Sequence, residues 1–492
     1  MIQAKSIINN QEVSGERKSF RESPYDTEKK VTEYYHANKE NVREAIDYAR
    51  EAFDKNFNNW VTDYKLRERV LRKIAENIME NSQTLIDSLI EELGMPLRQA
   101  RSHVIASADI FNYYSGLAGK IYGTSLFLNN EDLINIVKEP VGVVGAITPW
   151  NFPLTQSARK LAPSLAVGCT VVWKPASYTS GISYELAKLI IKSGIPRGVF
   201  HMVLGSGEEI GKEIVMNSNI DKVSFTGETS TGKWIMREAS SNLKRVSLEL
   251  GGKNPFILFA DSDLEKSIRS LMFGMFRNAG QACGSTSRLI MEESLKEKAL
   301  PLILSAVKSL KVGLPSEETT DVGPLVSKSQ EEKVLSYIKY GKENNYKIIA
   351  GGNKIRDEPL NRGYFIEPTV FDDVDYKSKI AQEEIFGPVL AIIYFKDEEE
   401  AIRIANAIDY GLTASIWINN IKRALRISRR IRAGTVWIND SYTQPVEGLW
   451  GGYKQSGLGR ELGLQGLEEF LEYKMLYISS NDKYSHYSQV VK

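Results

Sequence analysis

A candidate nucleophile sits in Asn278-Ala-Gly-Gln-Ala-Cys283-Gly-Ser, one of only two cysteines in 492 residues. Leu264, Ile268, Leu271, Met275 and Phe276 recur at helical spacing, so a helix leads into this stretch. Asn278 and Gly280 are expected to end that helix, and Arg288-Leu-Ile-Met reads as a strand behind it. Cys283 is thereby left on a loop between regular elements, where nucleophiles are commonly placed. A lone cysteine is more often a small buried thiol. The C-terminal end of the preceding helix is negative and would raise a thiol pKa, so a catalytic Cys283 needs another group to activate it. Arg245-Val-Ser-Leu-Glu249-Leu-Gly-Gly-Lys253 offers one: a strand that runs into two glycines, with the Glu249 carboxylate near its end. Adjacent glycines mark a tight turn with close backbone approach.

Further strings accompany these two. They are Pro149-Trp150-Asn151-Phe152-Pro153, Lys174-Pro-Ala, Phe225-Thr226-Gly227, Glu383-Glu384-Ile-Phe386-Gly-Pro388 and Gly451-Gly-Tyr-Lys-Gln-Ser-Gly457. In these strings and their order, from about residue 20 to 475, the chain resembles the aldehyde dehydrogenase superfamily. The resemblance implies an α/β fold with a Rossmann-like coenzyme domain (1–118 and 141–250) and an α/β catalytic domain (251–450). A β-arm and C-terminal segment (119–140 and 451–492) would join subunits into a homo-oligomer, dimer or tetramer.

The implied reaction is oxidation of a small aldehyde to its acid through a Cys283 thiohemiacetal and thioester. Asn151 and the Cys283 N–H would hold the oxyanion, with each such donor contributing roughly 3–4 kcal/mol. Glu249 would act as the base for water. Coenzyme contacts are implied for Thr148, Pro149, Trp150, Lys174, Ser177, Phe225, Thr226, Gly227, Gly232, Leu250, Glu384 and Phe386. Lys174 would serve the adenosine ribose and Glu384 the nicotinamide ribose, with Phe386 beside the nicotinamide. The substrate tunnel would be lined by Phe152, Arg159, Arg277 and Trp450. The presence of Glu249 argues against the branch that passes its thioester to coenzyme A, and a non-catalytic relative would be expected to lose Cys283, Glu249 or Asn151.

Two departures bear on coenzyme. Ser177 stands where NAD-preferring members often carry Glu, which removes a like charge facing a 2′-phosphate and favours NADP over NAD. Glu228 replaces the small residue common after Phe-Thr-Gly, and its carboxylate must point away from the pyrophosphate. Two more bear on substrate. Arg159 and Arg277 resemble the arginines that grip a carboxylate in succinate-semialdehyde-type members, and would repel a cationic aldehyde. Paired with acids at a subunit contact, they would be structural instead. Gln444 and Pro445 replace the serines of that subfamily's loop, and Trp450 resembles the betaine-aldehyde type, so an apolar, aromatic or betaine-type aldehyde is the alternative.

Composition adds limits. Charged residues make up 25% and hydrophobic ones 42%, and the net charge of +1 favours neither nucleic acid nor an anionic membrane as partner. Two cysteines build no disulfide framework, and four scattered histidines show no metal-ligand spacing. No apolar run approaches the ~18 residues of a membrane helix, and the N-terminal apolar stretch is short for a signal peptide, so a cytoplasmic location is expected. The basic run over residues 422–432 carries Leu425, Ile427 and Ile431 and reads as an amphipathic helix with a solvated face.

The elements that must position these residues follow from periodicity. Residues 41–79 read as helix in two stripes (Val42, Ala45, Ile46, Ala49, Phe53, then Leu66, Val70, Ile74, Ile78). Leu85, Ile86, Leu89 and Leu93 continue the pattern up to Gly94 and Pro96. Residues 133–138 alternate as a strand. Residues 141–250 alternate short apolar strands with helices, which implies βαβ units, a parallel sheet and a ligand site at the strands' carboxyl ends. Gly205-Ser-Gly207-Glu-Glu-Ile-Gly211 nearly matches a dinucleotide fingerprint but is one residue too long, so the pyrophosphate is expected near Phe225-Thr226-Gly227 and Gly232 instead. Residues 481–492 are polar and expected to fray.

Overall fold

Five short runs form the strands Val143–Ile147, Thr170–Lys174, Phe200–Met202, Lys222–Thr226 and Arg245–Glu249. Each of the first four is buried along its whole length, because helices cover both faces of the sheet they make. All five are parallel, in the spatial order Arg245–Glu249, Lys222–Thr226, Val143–Ile147, Thr170–Lys174, Phe200–Met202. The chain starts in the middle, builds outward in one direction, then crosses back. Val143–Ile147 and Lys222–Thr226 therefore flank a topological switch point, where open parallel sheets leave a crevice at their carboxyl ends. Ser6–Ile8 and Gln11–Val13 extend one edge and Gly457–Leu458 the other, all antiparallel.

A second, seven-stranded sheet carries the other half of the molecule. Six strands are parallel, with Pro255–Leu258, Arg288–Glu292 and Val389–Phe395 at its centre, and Lys347–Ala350 is antiparallel at one edge. A third sheet of three antiparallel strands joins Thr124–Leu128, Asp132–Pro140 and Leu471–Ile478. The α/β architecture is the expected one, and the computed structural model describes residues 1–128 and 132–480. The tail expected to fray, 481–492, lies outside the described residues.

The helical reading of 41–79 resolves into Lys39–Asp54 and Tyr64–Glu80. Asn56, Asn58 and Asn59, all at positive φ, turn the chain between them, and the Asp63 carboxylate caps the second helix by accepting from the N–H groups of Lys65 and Leu66. Asparagine tolerates this left-handed conformation better than other side chains, which is why the break falls there. Helix Leu97–Ser115 has no counterpart in the sequence reading. The basic run forms Ile421–Ser428, whose Arg423 and Arg426 pair with Glu398, while Arg430 beyond it pairs with Glu399. No helix among the described residues is long and apolar enough to cross a membrane.

Candidate active site

Helix Leu264–Phe276 starts on the Asp263 carboxylate, which accepts from the Lys266 N–H, and stops at Arg277. Asn278, Ala279 and Gly280 then take φ of 50°, 55° and 72°. Gly280 is required twice over, since a Cβ there would also lie 2.3 Å from the Gly387 carbonyl oxygen. Three amides hold the loop. The Asn278 N–H donates to Gln99 Oε1 at 2.9 Å, and its Nδ2 donates to the Asn151 carbonyl at 3.0 Å. Asn254 Nδ2 donates to the carbonyls of Cys283 (2.7 Å) and Ser285 (2.9 Å). Asn151 Nδ2 donates to the Gln281 carbonyl at 3.0 Å, which leaves its second hydrogen free beside Cys283. The Cys283 N–H has no acceptor among the described residues.

The double glycine lets two segments close on this loop. A Cβ on Gly251 would lie 2.5 Å from Glu384 Oε2, and one on Gly252 2.4 Å from the Cys283 carbonyl oxygen. The Gly252 N–H donates to Glu384 Oε1 at 2.8 Å. Glu384, a coenzyme candidate, is thus joined to the strand end that carries Glu249.

Burial raises the pKa of the thiol and of both carboxylates around it. Burial pushes the Cys283 thiol up to about 12, and Glu384 and Glu249 push the same way. Glu249 is 4% exposed, and neither carboxylate oxygen has a hydrogen-bond partner among the described residues. Burial, then the Glu461 carboxylate, raise it well above the usual carboxylate range, against the pull of Lys160, Arg159 and Arg460. Lys160 and Glu461 form a buried ion pair behind it. Glu461 is locked to the tunnel wall, since its backbone and that of Trp450 exchange two hydrogen bonds of 2.7 Å. Burial also pushes Glu384 up to about 7, with the Gly252 N–H opposing.

The crevice at the switch point is a cleft of about 720 Å³, continuous through Pro149, Trp150, Thr226, Gly227 and Glu228 with a chamber of about 190 Å³ that ends on Cys283. Thr148, Pro149, Trp150, Lys174, Phe225, Thr226 and Gly227 line the cleft, and Asn151, Leu250, Glu384 and Phe386 line the chamber. Gly232 sits on helix Thr229–Ala239 with its Cα side packed on Leu250. Ser177 is off the lining and donates from Oγ to the Gly205 carbonyl at 3.2 Å. The segment set aside as a fingerprint near-miss is part of the wall, through Gly207, Glu208 and Gly211. A nicotinamide dinucleotide fits this shape. The N-terminal end of Thr229–Ala239 favours its phosphates, the buried Thr226 Oγ1 awaits a partner, and the Glu384 carboxylate waits at the far end.

The substrate side is aromatic and cationic. Arg277 lies over three rings, Phe152 (5.2 Å), Phe273 (5.5 Å) and Tyr442 (5.0 Å), and Arg159 lies over Trp450 (5.3 Å). Among the described residues neither arginine pairs with a carboxylate of its own chain. Arg159 Nη2 donates to Gln444 Oε1 at 3.2 Å, and its buried Nε has no partner. His103, between them, is pushed down to about 3 by burial and both arginines, so it is neutral. The Trp450 and Tyr442 rings press on Gly284, next to Cys283.

Sequence reasoning missed Lys160, Glu461, Asn254, Asn278, His103, Phe273 and Tyr442. One signal was available: Lys160 is a charged residue inside a helix, Pro153–Val167, that is buried almost throughout. The others carry no local mark.

The family model for the aldehyde dehydrogenase family matches residues 12–476. Betaine aldehyde dehydrogenase of Bacillus subtilis is 40% identical over 475 residues, covering 96% of this chain and 96% of that protein. A peroxisomal aminoaldehyde dehydrogenase of Pisum sativum is 40% identical, covering 91% and 90%. Among solved structures, a betaine aldehyde dehydrogenase of Staphylococcus aureus in complex with NAD+ superposes with a TM-score of 0.95 at 36% identity, covering 98% of this chain and 96% of that one. An NAD-dependent aldehyde dehydrogenase of Sinorhizobium meliloti gives 0.95 at 37%, covering 98% and 95%. With cleft, cysteine loop and buried carboxylate in one arrangement, the chain belongs to the aldehyde dehydrogenase family, as an NAD(P)+-dependent oxidoreductase.

Proposed function

We propose that this protein is a hydrolytic aldehyde dehydrogenase that uses NAD+ and takes an aldehyde with a distal carboxylate, such as succinate semialdehyde. The observation behind the substrate class is the pair Arg159 and Arg277, which face the wall beside Cys283 without a carboxylate partner among the described residues. A half-buried cation with no counter-charge is costly, and a substrate carboxylate would supply that charge.

In the mechanism, Cys283 Sγ adds to the aldehyde carbon while its proton passes to the Glu249 carboxylate. The carbonyl electron pair moves to oxygen, where the free Asn151 N–H and the Cys283 N–H stabilise it. A nicotinamide coenzyme would be held by Glu384, Lys174 and the Thr226–Gly227 turn, and would supply the hydride acceptor. Glu249 gives that first proton up to solvent, then takes one from water as the hydroxyl adds to the thioester carbon; the C–S bond breaks as the carbonyl re-forms, and the acid leaves while Glu249 returns its proton to Cys283 Sγ. Glu249 suits both transfers because its raised pKa makes it a stronger base than an ordinary carboxylate.

On coenzyme, the Ser177 reasoning favoured NADP, and two observations weigh against it. Lys174 turns inward, its Nζ donating to the Pro175 carbonyl at 3.0 Å, and burial pushes it down to about 8. Glu208 brings a carboxylate into the same end of the cleft. The solved relatives of Staphylococcus aureus and Sinorhizobium meliloti, described with NAD+ or as NAD-dependent, support the same direction. NAD+ is expected to show the higher kcat/KM, and Ser177→Glu to widen the NAD+/NADP+ ratio by roughly tenfold through like-charge repulsion. A wild-type preference for NADP+ overturns this.

A second substrate reading has its own support. The Bacillus subtilis and Pisum sativum relatives are named for betaine and amino aldehydes, which carry a cation. Arg159→Ala decides between them. Losing a charge-assisted hydrogen bond costs about 1.5–3 kcal/mol, so kcat/KM for succinate semialdehyde should fall about ten- to a hundredfold relative to butanal. If butanal is already the better substrate of the wild type, the carboxylate reading is wrong.

Assembly is supported by the three-stranded arm sheet, which exposes Leu126, Tyr473 and Met475 on one face and Phe127 and Ile478 on the other, apolar surface of the kind that copies of a chain bury between them.

A further inference from the structure

Arg277 makes no hydrogen bond and no ion pair among the described residues. A guanidinium has five donors and normally spends them on carboxylates or carbonyls. Here its Cζ lies instead 5.2, 5.5 and 5.0 Å from the ring centres of Phe152, Phe273 and Tyr442. The rings brace one another: Phe273 meets Tyr442 edge-on at 6.3 Å, and Tyr442 stacks on Trp437 at 6.2 Å, whose Nε1 donates to the Thr443 carbonyl. Three faces converging on one cation are the arrangement that binds alkylammonium ligands. The cage touches the reaction centre, because Tyr442 also packs on Gly284.

We propose that Arg277 is a tethered cation that fills an aromatic cage suited to an ammonium group, and so excludes cationic aldehydes from a site whose rings would otherwise accept them. This rests on the substrate reading above for the identity of the preferred aldehyde, but not for the exclusion itself. An incoming ammonium meets an occupied cage and two like charges, Arg277 and Arg159, with neutral His103 offering no compensation. The carboxylate of an acid aldehyde meets the unspent guanidinium donors instead. One residue thus sets the sign of the charge the tunnel accepts.

The test uses betaine aldehyde and tert-butylacetaldehyde, which share a shape and differ by the charge, with NAD+ saturating. In the wild type the ratio of kcat/KM for the cation over its neutral isostere is expected below one. Arg277→Met, which keeps the apolar stem, should raise that ratio at least about tenfold, and Arg277→Lys, which keeps the charge, should not. A wild-type ratio above one overturns the proposal, and this measurement needs no variant. An unchanged ratio in an Arg277→Met protein that still binds NAD+ overturns it as well. The substrate reading is judged on a different ratio, succinate semialdehyde over butanal in the wild type, so either can fail alone.

Discussion

Cys283→Ala is expected to lower aldehyde oxidation on the order of 10⁴-fold or more, while coenzyme binding is kept. The two properties separate because they rest on different segments. The cleft of about 720 Å³ is lined by the ends of Val143–Ile147, Thr170–Lys174 and Lys222–Thr226 with Thr229–Ala239, and Cys283 touches only the smaller chamber. The loop itself should survive, since Asn254 and Asn278 hold it through backbone and amide groups rather than through the thiol. Steady-state turnover and fluorescence titration of the coenzyme check the two halves. Turnover near the wild-type rate removes Cys283 from the mechanism, and with it the whole chemical scheme.

Glu249→Gln should release a single burst of reduced coenzyme, slower than in the wild type because the thiol loses its base too, and then stall, with steady-state turnover lower by about 10²–10⁴-fold. Glutamine keeps the shape but takes no proton from water, so the thioester accumulates. The wild-type enzyme carries a related pH signature. Burial and Glu461 raise the Glu249 pKa, so at low pH the group is protonated and inactive as a base. Deacylation is therefore expected to rise with pH through a range above that of an ordinary glutamate, and the rise should vanish in Glu249→Gln. Single-turnover absorbance against the steady state measures both. A normal steady state after the burst assigns the base elsewhere.

Much of this was readable locally. Short apolar strands between helices encode the parallel sheet, because a strand covered on both faces must be apolar throughout, as Val143–Ile147 is. The motif strings could be read because the chemistry needs particular atoms at strand ends and turns. Helix Leu97–Ser115 was not readable: its buried set includes His103, which accepts from the distant Leu154 N–H, and Ser107 and Ser115, which donate to carbonyls of the helix itself, so polar residues interrupt its buried face. The glycine-rich segment near Gly207 failed a local pattern and still lines the cleft, since the wall is assembled from strand ends rather than from one motif.

The sequence by itself determined the α/β class, the cysteine loop, the carboxylate at the end of its strand and the arginines at positions 159 and 277. It carried no information on what those groups meet. Only the tertiary structure decided that Glu249 lies buried near a Lys160–Glu461 pair, that Lys174 turns inward, and that Arg277 is held by Phe152, Phe273 and Tyr442 instead of an acid. The reason is physical. Periodicity and turn chemistry are set by neighbours along the chain, whereas a pKa or the fate of a charge is set by groups far apart in sequence, and their distances exist only once the sheets have packed.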